Sequence, residues 1–165
     1  MTIKVVAFNG SPRPKGNTYH SLNIVLDTLA AEGIQGELVQ LGGSGVSGCK
    51  ACYKCMQTKN KRCAQTGDKM NYFIEKALEA DGIIIGSPVY FSNVSSDVKA
   101  FIDRCGFVAK ANDNMLKGKV GAAVVSVRRA GGTFTYSAIN FFFGISEMII
   151  PCSSYWNVGM GLMPG

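Results

Sequence analysis

A single histidine, His20, stands in the 165 residues, so no histidine pair is available to complete a common zinc pattern. No Walker A sequence and no GxGxxG occurs. Helix-turn-helix, zinc-finger and aromatic-laced basic patterns are missing too, which argues against nucleic acid as a partner. No apolar run is long enough to cross a membrane. The most apolar late stretch, 141–150, is broken by Gly144, Ser146 and Glu147. The start, MTIKVVAFNG, lacks a signal peptide's apolar region and cleavage site, and reads directly as a strand. A cytoplasmic location is expected, where cysteines serve as ligands, catalysts or buried thiols more often than as disulfides. Internal repeats and low-complexity linkers are absent as well.

What is present suits one domain over residues 1–165. Hydrophobic residues make up 47% and charged residues 17%, enough to bury a core and too little charge for disorder. Five runs read as strands buried on both faces: 3–8, 37–41, 82–86, 119–127 and 148–156, the last interrupted by Pro151. Between them lie helical stripes. Leu22, Val25, Leu26 and Leu29 form one, closed by Gly33. Phe73, Ile74, Ala77 and Leu78 form a second, with Asp68 near its start, and Val98, Phe101, Ile102 and Cys105 a third. A fourth helix is expected over 134–144. This alternation predicts an α/β fold with a doubly wound parallel sheet. Such a sheet needs one more helix after its fifth strand. Either that C-terminal helix is missing from the chain, or a partner subunit covers the surface.

The connection over 42–66 is far longer than the usual two to six residues of such loops. It carries GCKACYKCMQTKNKRC, with Cys49, Cys52 and Cys55 three residues apart and Cys63 following. Six cations between Lys50 and Lys69 face the single acid Asp68, which accounts for five of the net +6 charge. This is either a solvated face or a surface that meets something negative. Serial C-x-x-C steps suit three thiolates turned toward one [4Fe–4S] cube, with Cys63 returning as the fourth ligand. Free or redox-active thiols fit the same residues, and spacing alone does not separate the two. Cys105 and Cys152 read as core residues.

Two loops carry the remaining chemistry. NGSPRPKGNT follows the first strand and precedes a helix, and it has the makings of a phosphate cradle. Ser11, Asn17 and Thr18 bring polar donors, Arg13 and Lys15 bring charge, and Gly10 and Gly16 let the backbone curl. GSPVYFSN follows the third strand, where Pro88 turns the chain outward and puts Tyr90 and Phe91 at the mouth of a crevice.

The set GSPRPKGNT, CKACYKC with a later cysteine, ADGIIIGSPVYFSNVSSDVKAFIDR and a glycine-bearing turn after strand four resembles the NADPH-dependent FMN reductase family. More narrowly it is similar to the branch that contains the iron–sulfur flavoproteins. The resemblance implies a flavodoxin-like fold of strand order 2-1-3-4-5, with FMN at the carboxyl ends of the strands. It implies that Ser11, Arg13, Asn17 and Thr18 hold the phosphate and that Pro88, Val89, Tyr90, Phe91 and Asn93 line the flavin ring. The turn SVRRAGGT departs from the family by placing Arg128 and Arg129 where small residues are usual. Arg128 is expected to bring a cation to the flavin or to an incoming nucleotide. Cys49, Cys52, Cys55 and Cys63 would ligate a [4Fe–4S] cluster.

The expected function is an FMN-dependent oxidoreductase that takes electrons from NAD(P)H to a flavin, quinone or other small acceptor. The alternative is an electron carrier of the iron–sulfur flavoprotein type, working between redox proteins. Chemistry resides on the flavin, so no catalytic side chain is assigned. A homodimer or homotetramer is expected.

Overall fold

Strands form where apolar residues run without polar interruption, and helices where they recur every third or fourth position. In the computed structural model, which describes residues 2–162, these runs become ten elements. In chain order they are β1 (Lys4–Asn9), α1 (Asn17–Ala31), β2 (Gln35–Gln40), α2 (Lys54–Thr58) and α3 (Met70–Glu79). β3 (Gly82–Pro88), α4 (Ser96–Ala111), β4 (Val120–Val127), α5 (Gly132–Ile145) and β5 (Val158–Met160) follow. All five strands are parallel, in the order β2-β1-β3-β4-β5. This is the doubly wound, flavodoxin-like arrangement that the sequence pattern and the family resemblance together point to.

The larger core lies on the face covered by α3, α4 and α5. There Phe8 meets Phe73 edge-on and packs on Phe101 at 4.6 Å between ring centroids. The opposite face is covered by α1 alone among the described residues, through Leu22 packed on Val5, Ala7, Ile84 and Val124. Beside α1 an open groove of about 870 Å³ runs over Val5, Ile84, Val120 and Ala122. No helix of the described residues is long and apolar enough to cross a membrane.

Three expectations need correction. The fifth strand is not 148–156 but the short Val158–Met160. Ile149 makes only an isolated bridge to Val120, because Pro151 has no N–H and the segment after it is exposed and irregular. The outer strands are not buried on both faces. In β2 only Val39 is fully buried, as befits an edge strand. Finally, Cys152 is exposed rather than a core residue, and the long connection contains α2, held between Tyr53 and Lys59 in left-handed backbone conformations.

Candidate functional site

At the carboxyl end of β1 the chain must turn sharply beneath its neighbours. The Gly10 N–H donates to Gly86 O at 2.8 Å, and the Ser95 hydroxyl donates to Gly10 O at 2.7 Å. A Cβ on Gly10 would stand 2.2 Å from Val98 Cγ2 and 2.6 Å from Gly86 O, so only glycine fits. From the other side, Gln40 Nε2 donates to Ser11 O and Gly42 O at 2.8 and 2.7 Å. The Asn9 amide accepts from the Ser11 N–H and donates to Gln40 Oε1. The loop is thus fixed before any ligand arrives.

α1 begins immediately beyond this loop, and no side chain caps its first turn. Its leading N–H groups therefore face the loop without an intrahelical partner. With the positive end of the helix dipole, they form an anion cradle. Ser11, Arg13, Asn17 and Thr18 line one crevice of about 240 Å³ together with Pro88, Val89, Tyr90 and Arg128. Eight of the ten crevice residues expected from the sequence are brought together. Phe91 and Asn93 do not line it. Phe91 is fully exposed with φ +49°, and Asn93 turns its side-chain oxygen to the Val94 N–H. Phe91 and Ser92 form the tip of a tight turn closed by reciprocal Tyr90–Asn93 backbone hydrogen bonds.

Ser126, at the carboxyl end of β4, also lines the crevice. Its hydroxyl is buried and has no hydrogen-bond partner. A buried unpartnered hydroxyl is uncommon, and one that faces a crevice is suited to a polar ligand. Its signal in the sequence was positional only: a small polar residue where an apolar strand ends.

The second site lies on the overlong connection. Cys49, Cys52, Cys55 and Cys63 all line one hollow against α4, with Arg104 and Phe107. Ala51 and Tyr53 adopt positive φ of 49° and 53°, which curls the backbone so that every third side chain turns to the same side. The Ala51 N–H lies 3.4 Å from Cys49 Sγ and donates to it. Alternating left-handed residues of this kind gather N–H groups into the concavity that receives anionic sulfur clusters. Among the described residues no three histidine, cysteine or acidic side chains are grouped to hold a single metal ion. A cube of four irons spreads its ligands wider than one ion does, and the donor set here is four thiols and nothing else. Thiols of this number are the ligand type that an iron–sulfur cluster would take.

Arg104 organises this site. Its side chain is wholly buried, and each of its three nitrogens donates a hydrogen bond. Nε donates to Cys63 Sγ at 3.3 Å, and Nη2 donates to Gln65 O at 2.8 Å. Nη1 donates to Ser47 O at 3.0 Å and to Asp68 Oδ2 at 2.6 Å. Burial acts to raise the Asp68 pKa. Hydrogen bonds from Arg104, Ser47 and Met70 outweigh it and hold the carboxyl below its ordinary range. The Cys63 backbone is fixed separately by the Asn71 amide, which accepts at 2.7 Å and donates at 2.9 Å. Arg104 shares the buried face of α4 with Phe101, Cys105 and Val108, so a charge within an apolar stripe was its signal in the sequence. Burial alone pushes the Cys105 thiol up to about 12, which marks it as an inert core residue.

On the same connection and just after it, Lys50, Lys54, Lys59, Lys61, Arg62 and Lys69 are all exposed, and Asp68 is occupied with Arg104. The loop that carries the four cysteines therefore presents a positive surface.

Comparison with known proteins agrees with this architecture. An iron–sulfur flavoprotein of Methanocaldococcus jannaschii is 36% identical over 175 residues, covering 99% of this chain and 86% of that protein. An iron–sulfur flavoprotein of Methanosarcina thermophila is 32% identical, covering 90% of this chain and 76% of its own length. The fold matches FerB, a flavoenzyme NAD(P)H:(acceptor) oxidoreductase from Paracoccus denitrificans, with a TM-score of 0.68 at 15% identity. That match covers 97% of this chain and 81% of FerB. The family model for NADPH-dependent FMN reductases matches residues 3–162, almost the whole described chain. With its strand order, its crevice at the strands' carboxyl ends and this match, the chain belongs to the NADPH-dependent FMN reductase family.

Proposed function

We propose that the protein is an FMN-dependent oxidoreductase that draws electrons from NAD(P)H. Cys49, Cys52, Cys55 and Cys63 would hold a [4Fe–4S] cluster, which would supply one-electron transfer toward a small or protein acceptor. One observation carries the reading. A single domain holds both an anion cradle with an unpartnered hydroxyl and a hollow lined by four thiols. The names of the relatives support the same pairing.

When bound, FMN supplies hydride acceptance and one-electron release, chemistry that no side chain here possesses. The chain's own part is placement. Ser11, Arg13, Asn17, Thr18 and the first turn of α1 would hold the phosphate. Pro88, Val89 and Tyr90 would border the ring, with Ser126 donating to a polar atom of the cofactor. Arg128, which lines the same crevice as Arg13, would present a cation to the flavin or to the nucleotide donor.

Arg13→Ala removes a charged hydrogen bond worth about 1.5–3 kcal/mol, or a roughly 10- to 150-fold loss of FMN affinity. Ser126→Ala removes a neutral one, so about 0.5–1.5 kcal/mol is expected. Fluorescence titration of apoprotein with FMN reads both. Unchanged affinity in both variants would refute the cradle.

The alternative is a pure carrier between redox proteins, favoured by the positive surface of the cysteine-bearing loop. Rapid bleaching of the flavin by NAD(P)H supports the enzyme. Reduction by a low-potential protein donor alone supports the carrier.

A further inference from the structure

We propose that Arg104 is a positioning residue for the cysteine site: it pre-sets Cys63 as the fixed ligand and raises the reduction potential of the cluster. The inference rests on the cluster assignment made above. Cys63 differs from the other three thiols in its burial and in what holds it. It is buried, whereas Cys52 is exposed and Cys49 and Cys55 are half-buried on the curl. Its backbone is clamped from both sides by Asn71, and its sulfur accepts from Arg104 Nε. The remaining nitrogens of Arg104 bind Ser47 O, just before the cysteine run, and Gln65 O, just after it. One side chain of α4 therefore ties together both ends of the ligand loop and the sulfur of its last ligand.

Two consequences follow. The first is order of assembly, because three ligands on an exposed curl must close onto a fourth that is already in place. A pre-organised ligand loses little freedom when it binds. The second concerns potential. A hydrogen bond from a buried guanidinium to a ligand sulfur favours the more negative, reduced cluster, and so raises its potential. Asp68 balances the guanidinium but sits on Nη1, away from Nε and Cys63.

The test uses the full chain with Arg104→Met combined with Asp68→Asn, which removes the buried charge and its partner together and leaves no charge stranded. Iodoacetamide labelling of the cluster-free protein, read by mass spectrometry, gives the rates of the individual cysteines. Wild-type Cys63 should react at least about tenfold more slowly than Cys52, and the double variant should bring that ratio close to one. After reconstitution with ferrous iron and sulfide without oxygen, the variant's cluster midpoint should lie below that of wild type. A labelling ratio or a midpoint unchanged by the double substitution would overturn the role of Arg104. Wild-type protein that takes up no iron and sulfide would instead overturn the cluster assignment itself.

Discussion

Gly42→Ala is expected to strip the protein of its flavin while the sheet remains folded. A Cβ at Gly42 would lie 2.3 Å from Ser11 C, 2.4 Å from Ser11 O and 2.5 Å from Gly10 C. These are backbone atoms and cannot rotate away, so the end of β2 and the cradle must move apart. Such overpacking costs about 1–3 kcal/mol. The larger consequence is local, because Gln40 then loses its hold on Ser11 O and Gly42 O and the cradle loses its set shape. A displacement near 1 Å in a pre-organised site costs on the order of 100-fold. FMN titration should show a loss of at least that order, with far-ultraviolet circular dichroism unchanged. Gly48→Ala is the control, since nothing lies within 4 Å of its added Cβ. Equal FMN affinity in the two variants would show that the β2 end does not shape the cradle.

The largest loss of stability is expected from Asp68→Asn. The change leaves Arg104 charged and wholly buried with its only carboxylate gone. Breaking one side of a buried pair costs roughly 3–5 kcal/mol. Asp68 also accepts from the Ser47 and Met70 N–H groups, so the cysteine loop and the start of α3 loosen with it. The sign of the pH dependence follows from its depressed folded pKa. Its contribution is complete above the unfolded aspartate value of about 4 and is lost as pH falls through the lower folded value. The stability gap between wild type and variant should thus be widest near neutrality and narrow below about pH 4. Urea denaturation at a series of pH values reads this directly. A gap that stays constant into strong acid would mean that the ion pair is not its source.

The parts of the fold legible in the sequence were those with strong periodic signals. β1, β3 and β4 read as buried strands because VVAF, GIIIG and GAAVVSV carry no polar break over a turn's length. β5 was misplaced because its three residues, Val158–Met160, give almost no pattern, while the apolar run ahead of them is stopped by Pro151. α2 escaped for a similar reason, being five residues long and bounded by left-handed backbone that no periodicity reports. At the crevice, Ser11, Arg13, Asn17 and Thr18 and the residues from Pro88 to Tyr90 were legible because strand ends in this topology face the ligand side. Phe91 was not, since its side chain is carried outward by a tight turn that depends on backbone pairing between Tyr90 and Asn93. Arg104 was hidden because its partners Ser47, Cys63, Gln65 and Asp68 lie 36 to 57 residues earlier in the chain. Only the folded loop brings them within reach.

The central claim is that one domain pairs a flavin crevice with a cluster hollow. It is tested most directly by protein purified without oxygen, through its visible spectrum and its content of iron, acid-labile sulfide and FMN. Iron and sulfide near four of each per chain, with stoichiometric FMN, are expected, and replacing Cys52 by serine should lower the iron and sulfide but not the FMN. FMN-loaded protein with neither iron nor sulfide would contradict the account and leave the four cysteines as free thiols.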